Sequence, residues 1–159
     1  VAGVVRGYLV KDQTQKGKGE IGRLCVNVAK VLPASATGNI FTVTGIVVVN
    51  ALVGVVSTAL SVTSTTVSVG VTGSNSAIAA ASAGLASTTV GSVFIMPTSL
   101  GAALPTPITT SQAVTASNVF IVNAGAITLT TSATNTGAVT WMLSWEPLYP
   151  KGVGSVAAV

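Results

Sequence analysis

The side chains able to do chemistry are few and scattered. The 159-residue chain has three carboxylates, Asp12, Glu20 and Glu146, one thiol, Cys25, and no histidine. Glycoside hydrolysis needs two carboxylates flanking one bond, and a hard-cation site needs several converging oxygens. Three acids at these positions would meet only by long-range accident. Cys25 has no imidazole to activate it. Its neighbours Leu24, Val26 and Val28 form an apolar alternating run, which predicts a buried, inert thiol. A lone cysteine also excludes an intrachain disulfide.

Gly17-Lys18-Gly19-Glu20-Ile21-Gly22 matches the spacing G-x-G-x-x-G, in which glycines let a pyrophosphate approach a helix N-terminus. The setting is wrong for a dinucleotide. The motif follows a charged loop rather than a buried strand, and the next acid is Glu146, too far along to hold a ribose. A flexible glycine loop is the better reading. No catalytic residue, metal ligand or cofactor is assigned, and the chain is not expected to be an enzyme.

The distribution of charge explains this poverty. The 115 residues from Val31 to Trp145 contain no Asp, Glu, Lys, Arg or His. Acid–base catalysis and carboxylate or imidazole metal sites need groups this stretch lacks. Only 6% of the chain is charged and 49% is hydrophobic, the reverse of the composition of disordered chains. Such a chain folds, and its length is enough for one core.

The net charge of +4 is concentrated at the start. Arg6, Lys11, Lys16, Lys18, Arg23 and Lys30 are opposed there only by Asp12 and Glu20. A basic lead-in can meet nucleic acid, an anionic membrane or an acidic protein. With Tyr8 as its one aromatic, and with Gly and Gln between the charges, it is a poor nucleic-acid reader. It remains either a solvated lead-in or a segment that docks on a protein. Arg6 is followed by a short apolar run and then a polar, charged loop, so no secretory signal is read.

The elements that hold these residues read as strands. In GAVTWMLSW, Val139, Trp141, Leu143 and Trp145 share one face, with Ala138, Thr140, Met142 and Ser144 on the other. Val67, Val69 and Val71 alternate in the same way, as do Ile127 and Leu129 against Thr128 and Thr130. Eight strands are predicted: 24–31, 40–49, 52–60, 65–71, 90–96, 118–122, 126–131 and 138–145. Turn chemistry is read at Thr37-Gly38-Asn39, Thr72-Gly73-Ser74-Asn75, Asn123-Ala124-Gly125 and Asn135-Thr136-Gly137. Pro97, Pro105 and Pro107 bracket a loop between the fifth and sixth strands. Residues 77–85 read equally as a short helical turn or a small-residue loop.

Phe41 to Val62 has the length and hydropathy of a membrane helix. Its β-branched composition, its interruption by Asn50, Ser57 and Thr58, and its lack of basic or aromatic anchors favour two consecutive buried strands. The fold class expected is all-β, an antiparallel β-sandwich or jelly roll. The organisation is a basic arm over 1–23, a sandwich over 24–148 and a tail over 149–159. Pro147 and Pro150 should end the last strand. Glu146 then marks a strand end turning into an extended tail, or else Trp145, Tyr149 and the tail form an intersubunit contact.

Gly137-Ala138-Val139-Thr140-Trp141-Met142-Leu143-Ser144-Trp145-Glu146-Pro147-Leu148, followed by small residues, resembles the last strand and exit of jelly-roll decoration, or cement, proteins on the heads of tailed bacteriophages. Val49-Asn50-Ala51-Leu52-Val53-Gly54-Val55-Val56-Ser57-Thr58 is similar to an early strand of such proteins. The resemblance implies a β-sandwich that forms a homotrimer on the outer surface of a virion capsid and bridges copies of the major capsid protein. It carries no contact residues over. On charge alone, capsid attachment is assigned to Arg6, Lys11, Lys16, Lys18 and Arg23, with no nucleic-acid or membrane partner. Two other classes stay open: an adhesin or receptor-binding sandwich whose Thr and Ser loops bind glycans, with Asn75 and Asn135 available for it, and a small membrane or secreted structural protein built around residues 41–62.

Overall fold

The structure is a computed structural model that describes residues 24–109, 119–149 and 154–159. The described residues form ten strands and no helix: β1 (Leu24–Val31), β2 (Thr37–Thr44), β3 (Ile46–Thr58), β4 (Val67–Val71), β5 (Ser74–Ala79), β6 (Val93–Ile95), β7 (Phe120–Val122), β8 (Gly125–Thr131), β9 (Ala138–Tyr149) and β10 (Ser155–Ala158). They make two antiparallel five-stranded sheets. The first runs β1-β9-β3-β6, with β7 also paired to β3, and the second runs β10-β2-β8-β4-β5. The all-β sandwich expected from period-two alternation is the fold.

The pairing is nested. The β4–β5 hairpin is the tip, and outward from it β3 pairs with β6 and β7, β2 with β8, and β1 with β9. Successive nested pairs fall in alternate sheets. Three further ladders join β3 with β9, β4 with β8 and β10 with β2.

One continuous core lies between the sheets. From the first sheet it takes Val139, Trp141, Leu143 and Trp145 of β9 and Val47, Val49, Leu52 and Val56 of β3. From the second it takes Phe41 and Val43 of β2, Val67 and Val69 of β4, and Ile127 and Leu129 of β8. These are the β-branched and aromatic types that favour a pleated, half-buried surface.

Several expectations are corrected. The break predicted after Val49 lies instead at Gly45, whose φ of +72° carries the chain from β2 into β3. Glycine accepts that conformation without a steric cost. Asn50 stays inside β3, where the register with β9 slips by one residue between Val49 and Ala51. This is a bulge. Before it Val47 and Val49 face inward, and after it Leu52, Gly54 and Val56 do. The change of phase looks like the end of one strand and the start of another, but one extra residue produces it.

Thr37-Gly38-Asn39 belongs to β2, and the preceding turn is made by 33–36, with Ser35 at a φ of 49°. Residues 77–85 hold no helix; their start is the end of β5, and Leu85 bridges Thr65. Pro147 does not stop β9, which continues to Tyr149. β1 begins opposite Trp145, so past that point the described pairing of β9 is with β3 alone. A strand edge is where proline is tolerated. Residues 155–158, read as tail, form β10 against β2. The turns at Gly73 and Gly125 and the proline loop after β6 are where the sequence puts them. The segment 41–62 is made of β2, β3 and their exit loop, and no helix among the described residues is long and apolar enough to cross a membrane.

Candidate interaction surfaces

The charged residues among those described are Lys30 on β1 and Glu146 on β9. Glu146 is half-buried, and its Oε1 accepts a hydrogen bond from Asn50 Nδ2 at 3.1 Å, which ties the bulge of β3 to β9. No three His, Cys, Asp or Glu residues of the described set come together. A groove of about 490 Å³ opens beside Lys30, Pro33, Asn39 and Val159. A smaller one of about 250 Å³ lies between Thr72, Ile121 and Asn123. Neither brings two ionisable side chains of the described residues into one place.

Cys25 is exposed, contrary to the expected buried thiol. On β1 the half-buried positions are Val26, Val28 and Lys30, and Cys25 falls in the opposite phase with Asn27 and Ala29. Period-two alternation itself turns it outward.

The sandwich presents two outer faces of different chemistry. Residues opposite one another in an antiparallel pair share a face. On the second sheet, Thr37, Thr130 and Ser68 form one outward row and Asn39, Thr128 and Gly70 the next, with Thr42 beyond. Thr37 and Thr130 are joined through their hydroxyls at 2.7 Å. Thr37, Asn39 and Thr42 of this phase are exposed, while Ser68, Thr128 and Gly70 are buried.

The first sheet is different. Asn27, Met142, Val53 and Ile95 make one outward row across four strands, and Ala29, Thr140, Val55 and Val93 make the next. Toward the other end of β3, Val48 lies between Ile121 and Glu146. Met142 is 40% exposed and Ile121 62% exposed, while Val48, Val53, Val55, Val93 and Ile95 are half-buried by their neighbours in the sheet. No charged side chain stands in either of the two four-residue rows. The expectation of Thr and Ser outside holds for one sheet and fails for the other.

The residues singled out from the sequence are placed as follows. Arg6, Lys11, Lys16, Lys18 and Arg23 lie outside the described residues, as does the glycine motif 17–22. Trp145 is 5% exposed and belongs to the core of its own chain, so it is not the exposed aromatic that an intersubunit contact was expected to use. Tyr149 ends β9 opposite Ile46, and its side chain lies outside the description. Asn135 is 3% exposed. Its Oδ1 accepts from the backbone N–H groups of Ser61 and Gly137, both at 2.9 Å, and its Nδ2 donates to the carbonyl of Thr63 at 3.0 Å. It clamps two loops together and is spent on that task rather than offered to a glycan.

Sequence reasoning did not single out Met142, Val53, Val55 or Ile95 as a surface. The available signal was the run IVVVNALVGVV, apolar in both phases, which marks a strand meant to be covered on both faces. No protein-family model, curated protein or solved structure matches the chain.

Proposed function

We propose that this chain is a non-enzymatic structural protein of a virion, a jelly-roll decoration protein that sits on the outer surface of a capsid and bridges subunits of the major capsid protein. The observation that carries the reading is the nested ladder of a body with no charged residue from Val31 to Trp145. Counting β6 and β7 as one interrupted strand beside β3, and setting β10 aside, the pairs are first with last, second with second-last, and so inward to the β4–β5 tip. That order supports the double Greek-key arrangement of jelly rolls, which serve in viral capsids and in lectins. Fold alone does not select between those uses. The resemblance of 137–148 and 49–58 to decoration proteins of tailed phages favours the capsid.

The mechanism is area multiplied by copy number. Each copy buries apolar surface at roughly 25 cal/mol per Å², and many copies on one lattice gain avidity from simultaneous attachment. Charge assigns the first contact to Arg6, Lys11, Lys16, Lys18 and Arg23, which suit an acidic lattice.

Co-sedimentation of the purified chain with capsids assembled without it tests the reading. Saturable binding that raises the capsids' resistance to heat or denaturant is expected, and a variant lacking residues 1–23 should bind more weakly and with less salt dependence. Absence of binding by the full chain, together with retention on a glycan array, would replace this reading with the adhesin.

A further inference from the structure

We propose that the outer face of the β1-β9-β3-β6/β7 sheet is a self-association surface, on which a second copy of this chain seats its own identical face. Three observations converge on it. The first is β3, whose apolar residues occupy both phases. A strand of that kind is built to be buried on both sides, and the sandwich core covers only the side bearing Val47, Val49, Leu52 and Val56.

The second is charge. An ordinary protein surface would bring its charged residues, about a quarter of a typical composition, onto Val53, Val55 and Ile95, where no counter-charge waits. Burying them unpaired is costly. A second copy brings the same two uncharged rows, with Met142 near the middle, while the carboxylate of the face, Glu146 opposite Val48, stands at its margin with Oε1 bonded to Asn50. Interface centres are depleted of charge and enriched in methionine.

The third is size. With strands spaced about 4.8 Å apart and residues rising about 3.3 Å, the face from Val48 to Val55 measures about 20 by 25 Å, four strands wide from Val53 onward and three strands wide at Val48. Two such faces bury about 1,000 Å², the lower bound of a specific interface, and sheets stack face to face readily at about 10 Å. The opposite outer face is polar at its exposed positions, with Thr37, Asn39 and Thr42 in solvent and the hydroxyls of Thr37 and Thr130 bonded to each other.

A face that meets its own copy has two-fold symmetry and produces even-numbered assemblies. The threefold assembly implied by the phage resemblance would instead need this face to meet a different patch on the next copy. The inference does not depend on the capsid reading, and its test uses no capsids.

Sedimentation equilibrium of the full chain decides it. A dimer or a larger even-numbered species is expected. Met142→Lys should raise its dissociation constant at least about 30-fold, the scale of losing an interface anchor. Thr42→Lys on the opposite face should leave it unchanged. Should Met142→Lys fail to give a β-sheet circular dichroism spectrum, Ile121→Lys at the margin of the face takes its place. A wild-type chain that is monomeric or trimeric at every concentration overturns the inference, and so does an even-numbered assembly that a folded lysine variant on this face leaves intact. A trimer that still binds capsids would sink the two-fold pairing and leave the decoration reading standing.

Discussion

Phe94 and Trp141 stack on each other although their strands do not pair. Their ring centroids are 5.9 Å apart, with the planes tilted by 30°. β6 and β9 lie on opposite sides of β3, and the residue of β3 opposite both rings is Gly54. The missing side chain lets the two rings meet across the middle strand, an arrangement in which aromatics cover an otherwise bare glycine.

Gly54→Ala tests that relationship. A Cβ at this position would stand 2.8 Å from Trp141 Cζ3 and 2.9 Å from Val139 Cγ1. Both partners are fully buried, so neither moves aside freely. Overpacking of this sort costs about 1–3 kcal/mol. A drop in the denaturation midpoint at unchanged slope is the expected result.

Thr128→Val should act in the opposite direction. The Thr128 hydroxyl is buried and has no hydrogen-bond partner. A methyl group of similar shape removes that desolvation cost, and a gain of about 1 kcal/mol is expected. Calorimetric melting would register it as a higher Tm.

Asn135→Ala should be among the most damaging polar substitutions in the chain. It leaves the N–H groups of Ser61 and Gly137 and the carbonyl of Thr63 without their present partner, and Gly137 is itself buried. Loss of one buried partner costs about 1–3 kcal/mol, and water reaching the more open Ser61 and Thr63 keeps the total near 2–3 kcal/mol. Urea unfolding measures the difference.

Deletion of Asn50 probes the bulge. Without the extra residue, Leu52, Gly54 and Val56 must either exchange faces with Val53 and Val55 or lose their ladder to β9, because a one-residue slip inverts every side chain. Destabilisation beyond about 4 kcal/mol is expected, the range reserved for disrupted cores. Asn50→Ala keeps the count and loses only the hydrogen bond to Glu146, so it should cost about 1 kcal/mol. Comparing the two by thermal melting separates the residue's side chain from its place in the register.

Period-two alternation along the chain is enough to make it all-β and to mark most of its inward positions. Val139, Trp141, Leu143 and Trp145 are all core, as are Ile127 and Leu129, and β1 has the predicted bounds. Alternation is a local property, set by a backbone that turns successive side chains to opposite faces. The absence of ionisable groups from 31 to 145 is local in the same sense.

What covers each face, and which partner each strand takes, follows from the way the two sheets assemble. β5 and β10 are short runs of small and polar residues, SNSAIA and SVAA, whose strand character comes from pairing with β4 and β2 rather than from propensity. The bulge at Asn50 exists because β9 runs alongside to set the count. The unlike chemistry of the two outer faces could not be read from β3, since a strand apolar in both phases does not say which phase its own chain will cover. That choice is made by the second sheet, which packs on one side of β3 and leaves Val53 and Val55 on the other. Burial is a property of the assembled layers, and a linear pattern supplies the candidates for it without ranking them.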